Sequence, residues 1–249
     1  MTDELVHLVV DGGIATITLD SPHNRNALSR QLVTEFFDAL DAAGAEPSAK
    51  VVLIRSADRV FCSGADLSEA SSGGMEEGAR ALVALQRRIV TFDRPVVTRL
   101  DGPVRAGGLG IVAASDVVVC RDDVTFAFTE SRLALAPAVI SLTVLPRLTS
   151  RAAADTFLTG RTFDAREAVA MGLVTRAAPG RELDAAVAEV CGDLGAAHPQ
   201  GLRETKALLS RELVAHLDAH AEEMAALSAR LFASEAAAQA MTAFLDRNK

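Results

Sequence analysis

Two glycine-bearing turns and one carboxylate are the places where this 249-residue chain has residue types and spacing suited to chemistry. The first turn is Phe61-Cys62-Ser63-Gly64-Ala65-Asp66-Leu67, and the second is Ala106-Gly107-Gly108-Leu109-Gly110, just before a short helical segment. Glycine lets backbone N–H groups approach a ligand, and the first amides of a helix lack intrahelical partners and carry partial positive charge. Gly107 stands at such a helix start, where a developing oxyanion would be stabilised. Glycines also serve tight connections alone, and spacing does not separate the two roles. Glu130 follows the β-rich run Thr125 to Phe128 and precedes the apolar stretch Leu133 to Ile140, interrupted by Pro137. Desolvation there would raise its pKa towards neutrality and make it a general acid or base. The competing reading is an exposed glutamate paired with Arg132.

Other chemistries lack their residues. No G-x-G-x-x-G follows the first strand, no G-x-x-x-x-G-K-[ST] occurs, and the G-x-S-x-G elbow that would support Ser63 as a nucleophile is missing. His216 and His220 lie four apart on a predicted helix, but HLDAH lacks the glutamate of HExxH, so a solvated helix face is the reading and no metal is expected. Cys62, Cys120 and Cys191 form no CxxC pair, which excludes a disulfide frame and a zinc ribbon. A net charge of −8 without a basic cluster argues against nucleic acid as partner. Zero Trp and zero Tyr remove the usual stacking platforms for bases. The acidic Met1-Thr2-Asp3-Glu4 start and the lack of a long apolar run predict no membrane span and a cytoplasmic address.

The elements that must position these residues follow an α/β pattern. Leu5 to Val10 and Ile14 to Leu19 read as a hairpin closed by Asp11-Gly12-Gly13. Leu32, Val33, Phe36, Phe37 and Leu40 recur at helical spacing within Ser29 to Ala43, and Val51 to Ile54 reads as a buried strand. Ser71-Ser72-Gly73-Gly74 reads as a flexible loop that lets the adjoining wall move. A helix carrying Leu82, Leu85, Ile89 and Phe92 follows, then strands at Val96 to Leu100, Asp116 to Cys120 and Thr125 to Phe128. From about Ser150 the chain is Ala-rich, with helices expected near 150–158, 164–171, 182–195, 200–212, 216–231 and 234–246, and a last weak strand at Val174-Thr175. The stripe Leu217, Met224, Leu227 and Leu231 must be buried, either within the chain or against another subunit.

Taken together, FCSGADL at 61–67, DGPVRAGGLGIVAASD at 101–116, FAFTESRLALAPAVIS at 126–141, LTGRTFDAREAVAMGLV at 158–174 and HNRNALS at 23–29 resemble the crotonase, or enoyl-CoA hydratase/isomerase, superfamily. The resemblance implies a spiral of ββα repeats over residues 1–195 with a C-terminal helical extension, 196–249, used for trimer contacts within one continuous domain. A homotrimer, or a hexamer built as a dimer of trimers, is the implied assembly. It implies an acyl-CoA thioester whose carbonyl lies between the backbone amides of Ala65 and Gly107, with coenzyme A as part of the substrate and no further cofactor. Arg25, Ala27, Leu28, Ser63, Asp66 and Leu67 map onto CoA-contacting positions, and Phe244 onto an aromatic that caps CoA in a neighbouring subunit.

Hydratases of this family carry two glutamates. The second maps onto Glu130, and the first onto Gly110, so one carboxylate is missing. A helical glycine costs about 1 kcal/mol relative to alanine and would leave room beside the carbonyl for a bulkier acyl group. The amide that holds a hydratase's water maps onto Ala138. One carboxylate suits Δ3-Δ2 enoyl-CoA isomerisation, in which a single base removes a proton and returns it two carbons away. The alternatives are a 2-enoyl-CoA hydratase of fatty-acid β-oxidation and a non-catalytic acyl-CoA binding protein.

Overall fold

The computed structural model describes residues 4–69 and 74–247; Ser71 to Gly73 of the Ser/Gly loop lie outside them. Strands β1 (Val6–Asp11) and β2 (Ile14–Leu19) form the expected antiparallel hairpin, with Gly12 and Gly13 supplying the positive φ that its turn demands. Helix α1 (Arg30–Ala45) is capped by the Ser29 hydroxyl, which accepts the Leu32 amide. Leu32, Phe36 and Leu40 of its apolar stripe are fully buried, and Phe37 is half-buried against the same core.

Three further units repeat this plan. Strand β3 (Val51–Ser56) leads to α2 (Met75–Val90), β4 (Val96–Leu100) and β5 (Val104–Arg105) to α3 (Gly108–Ala114), and β6 (Val117–Arg121) and β7 (Thr125–Ala127) to α4 (Ala138–Val144). One sheet runs β1-β2-β3-β4-β6 and ends on a short strand, β9 (Arg176–Ala178), with every pair after the hairpin parallel. Helices cover it, so Val51, Val52, Val96, Val97, Val118 and Val119 are all buried, as continuous valine-rich runs require.

The second strands of the repeats stack separately and matter more for function. Leu28 bridges Ala65, Cys62 bridges Val104, and β5 pairs with β7, all in parallel; β7 then pairs antiparallel with β8 (Phe163–Asp164). Phe126, Phe128, Phe157 and Phe163 pack beneath this small ladder.

The remaining elements are α5 (Ser150–Thr159), α6 (Ala165–Met171), β9 (Arg176–Ala178), α7 (Leu183–Ala196), α8 (Pro199–Phe232) and α9 (Glu235–Arg247). Two sequence expectations change here. The last strand is Arg176–Ala178, two residues beyond Val174-Thr175. The helices expected at 200–212 and 216–231 are one 34-residue helix, because Leu213-Val214-Ala215 contains neither glycine nor proline to break it. Helix α8 lies along α2 and α4, burying Leu217 and Ala225 and packing Met224 on the core, so that part of the stripe is covered within the chain. Lys206 pins it: the buried ammonium donates to the Ile89 and Arg94 carbonyls and meets Asp116 Oδ2 at 2.7 Å. Among the described residues, no helix is long and apolar enough to cross a membrane.

Candidate active site

Because the ladder strands run in parallel, the segments that leave them emerge at one end. These are Arg25 to Leu28, Ser63 to Leu67, Ala106 to Gly110, and Phe128 to Glu130, so the topology brings together pieces separated by about a hundred residues. The segments are tied as they leave. The Leu28 amide donates to the Gly64 carbonyl (2.8 Å), the Ser63 amide to the Arg25 carbonyl (3.1 Å), and the Ala106 amide to the Ala127 carbonyl (3.2 Å).

The two glycine turns lie against each other. A Cβ on Gly64 would stand 2.8 Å from the Ala106 Cβ and 3.4 Å from the Gly107 nitrogen, and Gly64 has φ +100°. Only glycine satisfies both demands. Among the described residues, neither the Ala65 nor the Gly107 amide donates a hydrogen bond within the protein. Two unspent backbone donors at one turn-to-turn contact can take up negative charge on a substrate oxygen. The side chains of Leu28 and Leu82 reach the same spot, 2.9 and 3.3 Å from where a Cβ on Gly107 would be.

Strain concentrates here as well. Among the described residues, the non-glycine positions with left-handed backbone are Arg25, Asn26, Ala106 and Ala134, with φ between 46° and 58°. Arg25 and Asn26 lie in the first segment, Ala106 precedes Gly107, and Ala134 closes the single turn of 3-10 helix that begins at Glu130. Such conformations persist only when the surroundings hold them. For the first segment the hold is visible: Asn26 accepts the Ser21 amide (2.6 Å) and donates to the Val60 carbonyl (2.9 Å).

Several expected contact residues already serve this scaffold. Asp66 accepts the Ser68 amide and hydroxyl on one oxygen and the Asn24 side-chain amide on the other. Burial raises its pKa, but these hydrogen bonds outweigh it and hold the carboxyl below the usual range. The Ser63 hydroxyl donates to the Asn24 carbonyl, which suits a brace. Ala27 is buried, Leu28 and Leu67 are half-buried, and the exposed Arg25 guanidinium makes no ion pair among the described residues. Cys62 lies beneath the first turn and accepts the Gly64 amide; burial pushes its thiol up to about 12, which leaves it a packing group.

Glu130 is the chemically exposed member of the group in every sense but solvent. Its Oε2 is buried without a hydrogen-bond partner, and burial pushes the carboxyl up to about 7. Arg132 does not pair with it; that guanidinium donates to the Thr159 carbonyl. A carboxyl poised near neutrality both accepts and returns a proton. Among the described residues, no group of His, Cys, Asp or Glu has the makings of a metal site, and His216 and His220 lie side by side on α8 with tilted rings, centroids 4.8 Å apart.

Two expectations are corrected. Gly110 leaves no room: a Cβ there would stand 2.9 Å from Gln86 Cδ and 2.9 Å from Ile140 Cγ2, because Gln86 of α2 fills the space. The Ala138 amide is not free to hold water, since Pro137 forms a γ-turn in which that amide donates to the Ala136 carbonyl at 2.7 Å. Gln86 itself was beyond sequence reasoning, and its only signal was a polar residue inside the stripe Leu82, Leu85, Ile89.

The sequence matches the family described as Enoyl-CoA hydratase/isomerase over residues 10–249. A solved enoyl-CoA hydratase from Mycobacterium avium superposes with a TM-score of 0.92 at 44% identity, over 99% of this chain and 98% of that one. The peroxisomal Delta(3,5)-Delta(2,4)-dienoyl-CoA isomerase of Arabidopsis thaliana is 27% identical, over 100% of this chain and 95% of its own. The 4-chlorobenzoyl coenzyme A dehalogenase-2 of Arthrobacter sp is 32% identical, over 76% and 72% respectively. The likeness bears out the spiral α/β fold with its helical C-terminal region. The named activities of these relatives differ, so the choice of reaction rests on the residues of the site.

Proposed function

The chain belongs to the enoyl-CoA hydratase/isomerase family and is an enzyme of it, and from that premise we propose that it moves the double bond of a 3-enoyl-CoA thioester to position 2. The observation that carries this reading is the single Glu130 carboxyl, its Oε2 buried without a partner and its pKa pushed up to about 7, with glycine at position 110 and the Ala138 amide already spent. In this mechanism the Glu130 carboxylate removes a proton from C2. The electron pair passes to the thioester oxygen as a dienolate, held by the Ala65 and Gly107 amides. Protonated Glu130 then returns the proton at C4, which leaves the conjugated product. One such donor is worth about two to three powers of ten in rate.

Glu130 ends the cycle as it began it, and the substrate is neither oxidised nor reduced, so this cycle calls for no cofactor beyond the coenzyme A of the substrate. Arg25 is suited to a CoA phosphate, and Ala27, Leu28, Ser63, Asp66 and Leu67 belong to the two segments tied together beside it. The 42% exposure of Phe244 on α9 supports a role in capping CoA bound to a neighbouring copy. Leu208 and Leu209 on α8, 64% and 82% exposed, support a trimer or hexamer.

An absorbance time course of the conjugated thioester band tests the reaction. A rise with a medium-chain 3-enoyl-CoA is the expected result. Loss of the band with a 2-enoyl-CoA, without isomerisation of the first substrate, would replace this reading with hydration by Glu130 alone. Binding of both esters without any change would make the protein a non-catalytic acyl-CoA binder.

A further inference from the structure

We infer that Gln86 is a positioning residue: its amide closes position 110 to any side chain and braces α2, α3 and α4 so that the Gly107 amide keeps its place. The inference rests on the reading of Gly107 as an oxyanion donor. Gln86 is fully buried, and its amide is satisfied by partners on its own helix α2 and on α4. Oε1 accepts the Thr143 hydroxyl at 2.6 Å; Nε2 donates to the Leu82 carbonyl at 3.2 Å and the Val139 carbonyl at 3.4 Å. Thr143 Oγ1 also lies 3.4 Å from the Gly110 carbonyl, which carries the network onto α3.

A buried amide gains little net stability over an apolar side chain of the same shape, but it fixes direction, because each misplaced partner would be left unsatisfied. The direction matters at the first turn of α3. Leu82 stands one turn before Gln86 on α2 and presses on Gly107, so any shift of α2 against α3 moves the groups around that amide. The same packing bars a second acidic group. A side chain at 110 would enter Gln86 at 2.9 Å from Cδ and 3.0 Å from Oε1, so the site is held to one carboxyl by a residue twenty-four positions away from the glycine.

Two measurements test this, and they fail separately. The first is a double-mutant cycle in Tm, which needs no turnover. Gly110→Ala in the native background should lower Tm by roughly 5 °C, and on a Gln86→Ala background it should lower Tm by clearly less, because only the Ile140 contact is left to resist it. Additive losses would overturn the closure of position 110 by Gln86. The second uses whichever of a 3-enoyl-CoA or 2-enoyl-CoA the native enzyme turns over, so it does not depend on which reaction is correct. Gln86→Leu, which keeps the volume and removes the amide, should lower kcat about 10- to 100-fold with KM within about twofold. Thr143→Val, which removes the main partner of Oε1, should lower kcat in the same direction and serves if Gln86→Leu does not fold. Lowered Tm with unchanged kcat in both variants would reduce Gln86 to a packing residue.

Discussion

The Ala106 amide donates to the Ala127 carbonyl at 3.2 Å, which registers the turn that carries Gly107 against the end of the strand that leads to Glu130. One main-chain hydrogen bond thus fixes an unspent backbone donor and a buried carboxyl relative to each other, whatever side chains surround them.

Glu130→Gln keeps the shape and removes the base. Turnover should fall about 10²- to 10⁴-fold, while calorimetric affinity for a saturated acyl-CoA stays within about threefold. Retained turnover would remove Glu130 from the mechanism.

The pH dependence follows from the same carboxyl. As a base it works ionised, so kcat/KM should rise with pH through about 7 and level above it. Stability runs the other way. The folded pKa is raised from 4.5, so the folded state holds this proton more tightly than the unfolded chain does. The associated stability is present below about 4.5 and is lost as pH rises through about 7. Glu130→Gln should therefore be more stable than the native protein at pH 8, by up to roughly 3 kcal/mol, and nearly equal to it at pH 4. Urea unfolding at both pH values checks the sign.

Gly64→Ala combines a left-handed backbone with a Cβ 2.8 Å from that of Ala106. It should cost about 2 kcal/mol of stability and, by pushing the two turns apart, about two powers of ten in kcat. Wild-type turnover in this variant would show that the turn-to-turn contact is irrelevant to rate.

Lys206→Met should destabilise the protein by about 3 kcal/mol. It removes the cation beside Asp116, which among the described residues keeps only the Val96 amide, and leaves the buried Ile89 and Arg94 carbonyls without the donor that holds α8 to the end of α2. Denaturant unfolding measures the loss, and turnover of the folded fraction should be unchanged.

Much of this was legible in the sequence because local rules and long-range packing agreed. Alternation and Gly12-Gly13 gave the first hairpin, and the Ser29 cap with its apolar spacing gave α1. The glycine turns and Glu130 stood out because each breaks a local rule: a helix started by glycines, a carboxylate at the edge of an apolar run. What could not be read depends on contacts between distant segments. The 138–144 helix was hidden because it follows Pro137 and its side chains, apolar apart from Ser141 and Thr143, lack helical periodicity. The role of Gln86 was hidden because a lone glutamine on α2 carries no motif. The room expected at Gly110 was wrong for the same reason, since a missing side chain says nothing about what fills its place.

The left-handed residues Arg25, Asn26, Ala106 and Ala134 give the molecule an unequal tolerance of heat and mutation. Each holds roughly 1–3 kcal/mol of local strain, so the site is the region with most to gain from relaxing, while the valine-rich sheet beneath it has nothing to release. Warming, or a substitution that softens the scaffold, will let these four residues drift first. Inactivation will then precede melting, and a preparation can keep its full helical signal after it has ceased to work.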